Sequence, residues 1–280
     1  MRKTAQYQVL YFREIKQFLI YSNIWVAMSI AAITHSVTIH NDSTSWTYTC
    51  LNFCIAHLGY NYIYWSVYFI HKHQLNLERR AWMYQHRIFT IITCMTSAMV
   101  AGFIFFDLSP YTKYLITLFV SFSLLYIIPT KKPRGLRWIP GSKLIVITAS
   151  WVFLSTIIPT LTSKTNPTLL GAAITFLVAG LTVPFDLRDI DTDTPALKTV
   201  PQIIGRNNAI YLSQFFILLF CLIITYSSSL SFGFSTGLFS IVAIATINKL
   251  RTYRYHNYVN FYIEGLPLLW LSLTLIASAF

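Results

Sequence analysis

The chain has 280 residues, 55% hydrophobic and 11% charged, with a formal net charge of +12. A soluble domain carries about 25% charged residues, and a bilayer-spanning helix needs roughly 20 mostly apolar ones. The composition therefore excludes a soluble enzyme, a disordered chain and a single-span anchored domain, and leaves a polytopic membrane protein. The apolar runs are continuous rather than alternating as barrel strands do, so the expected fold is all-α.

Apolar runs between polar breaks predict nine transmembrane helices, at 17–39, 46–70, 88–106, 111–128, 143–162, 167–184, 208–227, 229–247 and 257–279. The first lies behind Arg2, Lys3, Arg13 and Lys16, is longer than a signal-peptide apolar region and lacks a small-residue cleavage site, so it reads as a retained helix. No internal repeat or long loop divides the chain, and residues 1–280 read as one transmembrane domain. Cys50, Cys54, Cys94 and Cys221 sit in or beside apolar runs and read as small packed side chains, not as a disulfide or metal framework.

The basic residues give an orientation. Of the 21 Lys and Arg, all but Lys113 and Lys164 fall in the amino terminus or in the loops after the second, fourth, sixth and eighth helices. Cytoplasmic loops carry such an excess, which puts the amino terminus inside and the carboxyl terminus outside. The net charge is thus mainly a topology signal, with attraction to anionic lipid headgroups as a consequence; no nucleic-acid partner is expected.

Four of the nine acidic residues fall within eight positions, in VPFDLRDIDTDTPALKTVPQIIG (183–205), where the sixth predicted helix meets the cytoplasmic face. Continued as helix, Asp186, Asp189 and Asp193 share one side at i, i+3 and i+7, and Asp191 points away. Three converging carboxylates need a compensating cation. Mg²⁺ suits this, being commonly held by one or two carboxylates together with substrate phosphates. The competing reading is a solvated loop whose aspartates only solubilise a helix end.

The string DLRDIDTD (186–193), followed by Lys198, Thr199 and Gly205, resembles the second aspartate motif of the UbiA superfamily of intramembrane prenyltransferases, in its dihydroxynaphthoate-prenylating branch. YIIPTKKPRGLRW (126–138) is similar to the family's segment between the fourth and fifth helices. The resemblance implies a nine-helix bundle that transfers an isoprenyl group from its diphosphate to a membrane-associated, quinone-type aromatic acceptor, with Mg²⁺ between the aspartates and the diphosphate. It also implies metal ligation by Asp189 and Asp193 with Asp186 in support, and phosphate contacts from Lys131, Lys132, Lys198 and Arg134. Asp189, Asp193 and Lys198 are then the catalytic candidates.

The family's first motif, an Asn-Asp-x-x-Asp-x-x-x-Asp type sequence near the end of the second helix, corresponds here to AHLGYNYIYWSVYFIHKH (56–73). Asn61 is retained, but Tyr62, Trp65 and Phe69 fill the remaining positions in one register, and Tyr64 and Tyr68 in the next. Near the first helix, Ser22 and Asn23 stand where the family commonly has Arg and Pro. Two repairs are open. Arg79, Arg80 and Arg87 replace a metal against the diphosphate, since Arg is a bidentate phosphate donor, with His71, His73 and His86 as further candidates. Alternatively, the protein has lost transfer and is a non-catalytic isoprenoid- or lipid-binding relative. Glu264, inside the ninth predicted helix, is a further candidate because an intramembrane carboxylate is a functional hypothesis by default.

Overall fold

The computed structural model describes residues 13–41, 45–70, 77–127, 139–163, 168–191, 193–252 and 258–280, and every regular element among them is helical. The first predicted helix is not continuous. α1 (Arg13–Tyr21) and α2 (Ile24–His40) meet at 72°, because Asn23 between them takes the left-handed conformation at φ 63°. Asn is one of the few residues that visit this region readily, and its amide makes two hydrogen bonds there, as described below. Apolar periodicity alone carries no sign of such a break.

α3 (Trp46–Ile70), the short α4 (Leu77–Gln85), α5 (Arg87–Asp107) and α6 (Pro110–Ile127) follow. α7 (Ser142–Val152) runs through a π turn (Phe153–Ile157) into α8 (Ile158–Ser163). α9 (Thr168–Asp189), α10 (Val200–Ile204), α11 (Arg206–Ser227) and α12 (Leu230–Asn248) come next, and a second π turn (Val259–Ile263) leads into α13 (Leu266–Ala277). Each of the nine predicted stretches is thus mainly helical in its described part, the first interrupted at Ser22 and Asn23 and the ninth at Glu264 and Gly265. Six helical segments are long and apolar enough to cross a membrane, seven if α1–α2 counts as one bent span; the chain is an integral membrane protein. A total of nine needs α3 and α6 as well, and α3 carries Asn52, His57 and Asn61 in its middle.

α2, α13, α12, α11, α9 and α7 follow one another around a ring, closed where the π turn after α7 meets α2. α3 lies against α2, and α5 lies against α3 on the outside, presenting Met99, Phe103 and Phe106 outward. α9 is the most enclosed span. Its Ile174, Leu177 and Val178 share a core with Phe220, Phe239 and Trp270.

In an apolar medium every backbone carbonyl must find a donor within the protein, and two prolines create carbonyls that lose theirs. Pro184 lies inside α9 and has no N–H for the carbonyl of Gly180 one turn earlier; Ser213 Oγ of α11 donates to that oxygen at 2.5 Å. Gly180 makes the approach feasible, since a Cβ there would lie 3.1 Å from the Ser213 carbonyl oxygen and 3.0 Å from Ile217. In the first π turn, the Ile158 N–H bonds the carbonyl of Phe153, and Pro159 has no N–H for that of Leu154. Asn52 of α3 supplies the donor at 2.7 Å and also reaches Thr34 Oγ1 of α2 at 3.0 Å. One amide thereby joins α2, α3 and the π turn.

Replacing Ser213 by alanine leaves the Gly180 carbonyl buried without its donor, a loss of about 1–3 kcal/mol. Thermal unfolding in detergent is expected to show a lower midpoint for Ser213→Ala than for Ser227→Ala, whose hydroxyl only back-bonds along an exposed stretch of its own helix.

Candidate functional site

At one end of the ring, α1, α2, α3, α4, α7, α9 and the second π turn enclose a cavity of about 210 Å³. Its cationic lining is Arg79, Lys143 and Arg188, and its carboxylates are Asp189 and Glu264. Tyr60, Tyr64, Trp151 and Phe185 supply aromatic faces, and Val26, Ile147, Val178 and Leu181 an apolar floor. The composition is that of a pocket for a molecule with an anionic end and an apolar body.

The acidic wall comes from the last turn of α9 and the residues just after it. Asp186, Asp189 and Asp193 converge, and all three meet Lys143 Nζ, at 2.9, 3.7 and 3.3 Å; the helix ends at Asp189, so Asp193 arrives through the turn after it and not by the expected continuation of the helix. Asp186 is 1% exposed and Lys143 29%. Lys143 stands in the first turn of α7, behind Gly141 in the left-handed region at φ 72°, whose N–H donates to the Lys198 carbonyl at 3.3 Å. Both ends run against the helix macrodipole, which favours cations at C-termini and anions at N-termini. Carboxylates end α9 and an ammonium starts α7, so their mutual pairing offsets both. Arg188 grips Asp189 with two 2.7 Å hydrogen bonds and donates to Asn260 Oδ1 of the second π turn.

The opposite wall rests on Asn23. Its Oδ1 accepts from Arg79 Nη2 at 2.6 Å, and its Nδ2 donates to Asn61 Oδ1 at 3.0 Å. Asn61 in turn donates to the carbonyls of Ser22 and His57, at 3.2 and 2.9 Å. The Arg79 guanidinium lies 3.4 Å over the Tyr64 ring and is 8% exposed. Burial pushes its pKa down from the ordinary value, and the nearby Tyr64 and Glu264 act in the opposite direction; an arginine remains charged under such opposing influences. Asn61 thus orients a cation through a second asparagine.

Of the sequence candidates, Asp186, Asp189, Asp193, Asn61 and Arg79 come together around this cavity. Arg80 does not line it. Lys198 is exposed, in the left-handed conformation at φ 44°, and touches α7 through its backbone. His86 stacks on Trp82 with centroids 4.4 Å apart, and Arg87 lies over Tyr84. Lys131, Lys132, Arg134, His71 and His73 lie outside the described residues, as do the side chains of Tyr68 and Phe69. Sequence reasoning missed Lys143 and Arg188, which it counted only as topology charges, and Asn23, which it noted only as a departure. Arg188 had a signal, its place inside DLRD; Lys143 had none, being far from the aspartates along the chain.

Two features do not match a pair of Mg²⁺ ions. The point where the three aspartates converge is filled by the Lys143 ammonium, and α3 offers no carboxylate opposite it. Among the described residues, no group of three or more His, Cys, Asp or Glu is arranged to hold a metal ion.

No family model and no curated protein matches the chain by sequence. Among solved structures it is similar to a UbiA homolog from Archaeoglobus fulgidus bound to Cd²⁺, with a TM-score of 0.59 over 95% of this chain and 100% of that one, at 14% identity. The fold is therefore UbiA-like.

Asn23→Gly preserves the left-handed backbone without strain but removes the amide that bridges Asn61 and Arg79. A loss of about 1–3 kcal/mol is expected for the buried partners left behind, and a larger one for Asn23→Ala, which adds backbone strain. Unfolding midpoints of the two variants beside the parent check this order.

Proposed function

We propose that this UbiA-like protein is an intramembrane prenyltransferase that binds an isoprenyl diphosphate in the cavity and transfers the isoprenyl group to a lipophilic aromatic acceptor of the quinone type. The observation that carries the reading is the cavity itself, which sets Arg79, Lys143 and Arg188 against aromatic and apolar walls within one enclosed space. The proposed topology has nine spans, with the amino terminus and the aspartate cluster cytoplasmic, following the distribution of basic residues. Residues 1–280 act as one unit in this reading.

The chemistry asks three things of the chain's own residues. The bond between the allylic C1 and its oxygen breaks, and the electron pair leaves with the diphosphate, whose growing charge meets Arg79, Arg188 and Lys143 already in position. The allylic cation left behind is stabilised by the ring faces of Tyr60, Tyr64 and Trp151. An aromatic carbon of the acceptor supplies the pair that forms the new C–C bond, and the ring proton then passes to Glu264. Asp189, gripped by Arg188, holds that guanidinium in place, and no step is routed through a metal.

A second reading, a binding protein without turnover, is favoured by one observation: Asn61 and Asn23 are fully engaged with each other, with Arg79 and with backbone carbonyls. Purified protein incubated with radiolabelled farnesyl diphosphate and a soluble naphthoate acceptor separates the two. Transfer is expected to fall by about 10²–10³ in Arg79→Ala and in Arg188→Ala, the range for losing one preorganised donor. Binding of farnesyl diphosphate without any product supports the second reading, and binding of neither substrate overturns both.

A further inference from the structure

The geometry points to Lys143 as a tethered counter-cation. We propose that its ammonium does at the aspartate cluster what a divalent ion would otherwise do, so that the phosphorylated end of an isoprenoid is held by Lys143, Arg79 and Arg188 without a divalent metal. For the identity of the ligand the proposal rests on the reading just given; for the role of Lys143 it rests on where its ammonium sits.

One oxygen from each of Asp186, Asp189 and Asp193 lies within 4.0 Å of Lys143 Nζ, the nearest at 2.9 Å from a side chain only 1% exposed. A cation placed to satisfy all three carboxylates would have to share that point with the ammonium, and like charges in contact in a poorly hydrated pocket repel strongly. For a dication to enter, the lysine must leave Asp186, and α7 begins only one residue before it. Asp189 is committed as well, with both oxygens bonded to Arg188.

The opposite wall has the same character. Where the resemblance would put carboxylates on α3, this chain has Asn61 and Tyr64, and beside them lies the buried guanidinium of Arg79 from α4, held by Asn23 and seated on the Tyr64 ring. Arg and Lys are thus fixed at both sides of the cavity, and both are donors that bind phosphate directly. Asp186 and Asp193 back Lys143 from outside the lining, so what faces an entering anion is three cations against Asp189 and Glu264.

The test uses the full chain purified in detergent. Electron paramagnetic resonance with Mn²⁺ is expected to show no stoichiometric site in the parent protein or in Lys143→Arg, which keeps the cation. Lys143→Met should gain one, its three carboxylates now lacking a counter-charge. A stoichiometric Mn²⁺ site in the parent overturns the proposal even if Lys143→Met does not fold, and so does a folded Lys143→Met that takes up no Mn²⁺. Calorimetric titration with farnesyl diphosphate is expected to give affinities within about twofold in EDTA and in Mg²⁺, whereas weakening of about tenfold or more in EDTA overturns it. Absence of farnesyl diphosphate binding in both buffers refutes the isoprenoid reading, and the Mn²⁺ result still judges Lys143.

Discussion

An ammonium held among three carboxylates is the interaction on which the rest of the site depends. Asp186, Asp189 and Asp193 cluster at the end of α9, where the helix dipole already disfavours negative charge, and the side chain of Asp186 is almost wholly removed from water. Stripping a carboxylate of hydration costs several kcal/mol, and taking one partner from a buried pair costs about 3–5 kcal/mol. Without Lys143 or another cation at that point, the last turn of α9 would have to splay outward. Arg188 would go with it, and Arg188 joins α9 to the second π turn through Asn260. The pairing thus holds one whole wall of the cavity, and it draws the start of α7 against the end of α9.

The other elements of the site depend on departures from regular helix. π turns are frequent at functional sites because they re-aim side chains and free backbone groups, and both π turns here take that part. The second brings Asn260 and Glu264 to the cavity, and its Phe261 carbonyl accepts from Trp25 Nε1 of α2 at 3.0 Å, with the two rings stacked 4.8 Å apart. Gly265 is required below that ring, since a Cβ would stand 2.7 Å from it. The first π turn frees the Leu154 carbonyl for Asn52, and the break at Asn23 aims an amide at Arg79 and Asn61. Hydrogen bonds from side chains compensate each irregularity, and those same bonds fix the helices around the pocket.

This division explains what could be read from the chain beforehand. Continuous apolar runs mark helices whatever their packing, so all nine stretches are mainly helical where described. The i, i+3 spacing of Asp186 and Asp189 is a local property of the end of α9 and aligns those two, whereas Asp193 reaches them through the turn beyond the helix. Lys143 belongs to a different helix, and its arrival depends on how α7 packs against α9, which no spacing records. The bend at Asn23 was hidden because the residues around it are as apolar as any span, and only the left-handed backbone reveals it. Arg79 could not be told from Arg80 by type or position; burial between Asn23 and Tyr64 separates them. Lys198 matched a motif but is carried to the surface by the turn that precedes α10.

The fold and the polar site it carries are under different physical constraints. A UbiA-like bundle is specified by apolar packing, which tolerates wide substitution provided volume and pattern are kept, so the backbone is shared with a solved structure at 14% identity. The polar mouth has no such tolerance, because each buried charge must be met by a particular partner. Lacking carboxylates on α3, this chain meets Arg79 with an asparagine amide and a tyrosine face; keeping them on α9, it meets them with Lys143 and Arg188. The two walls therefore reach balance separately, each from within the protein. In the proposed function a phosphorylated guest would enter a site whose charges are already placed, and its binding would turn on how far Lys143 and Arg188 can share their donors between the aspartates and the incoming oxygens.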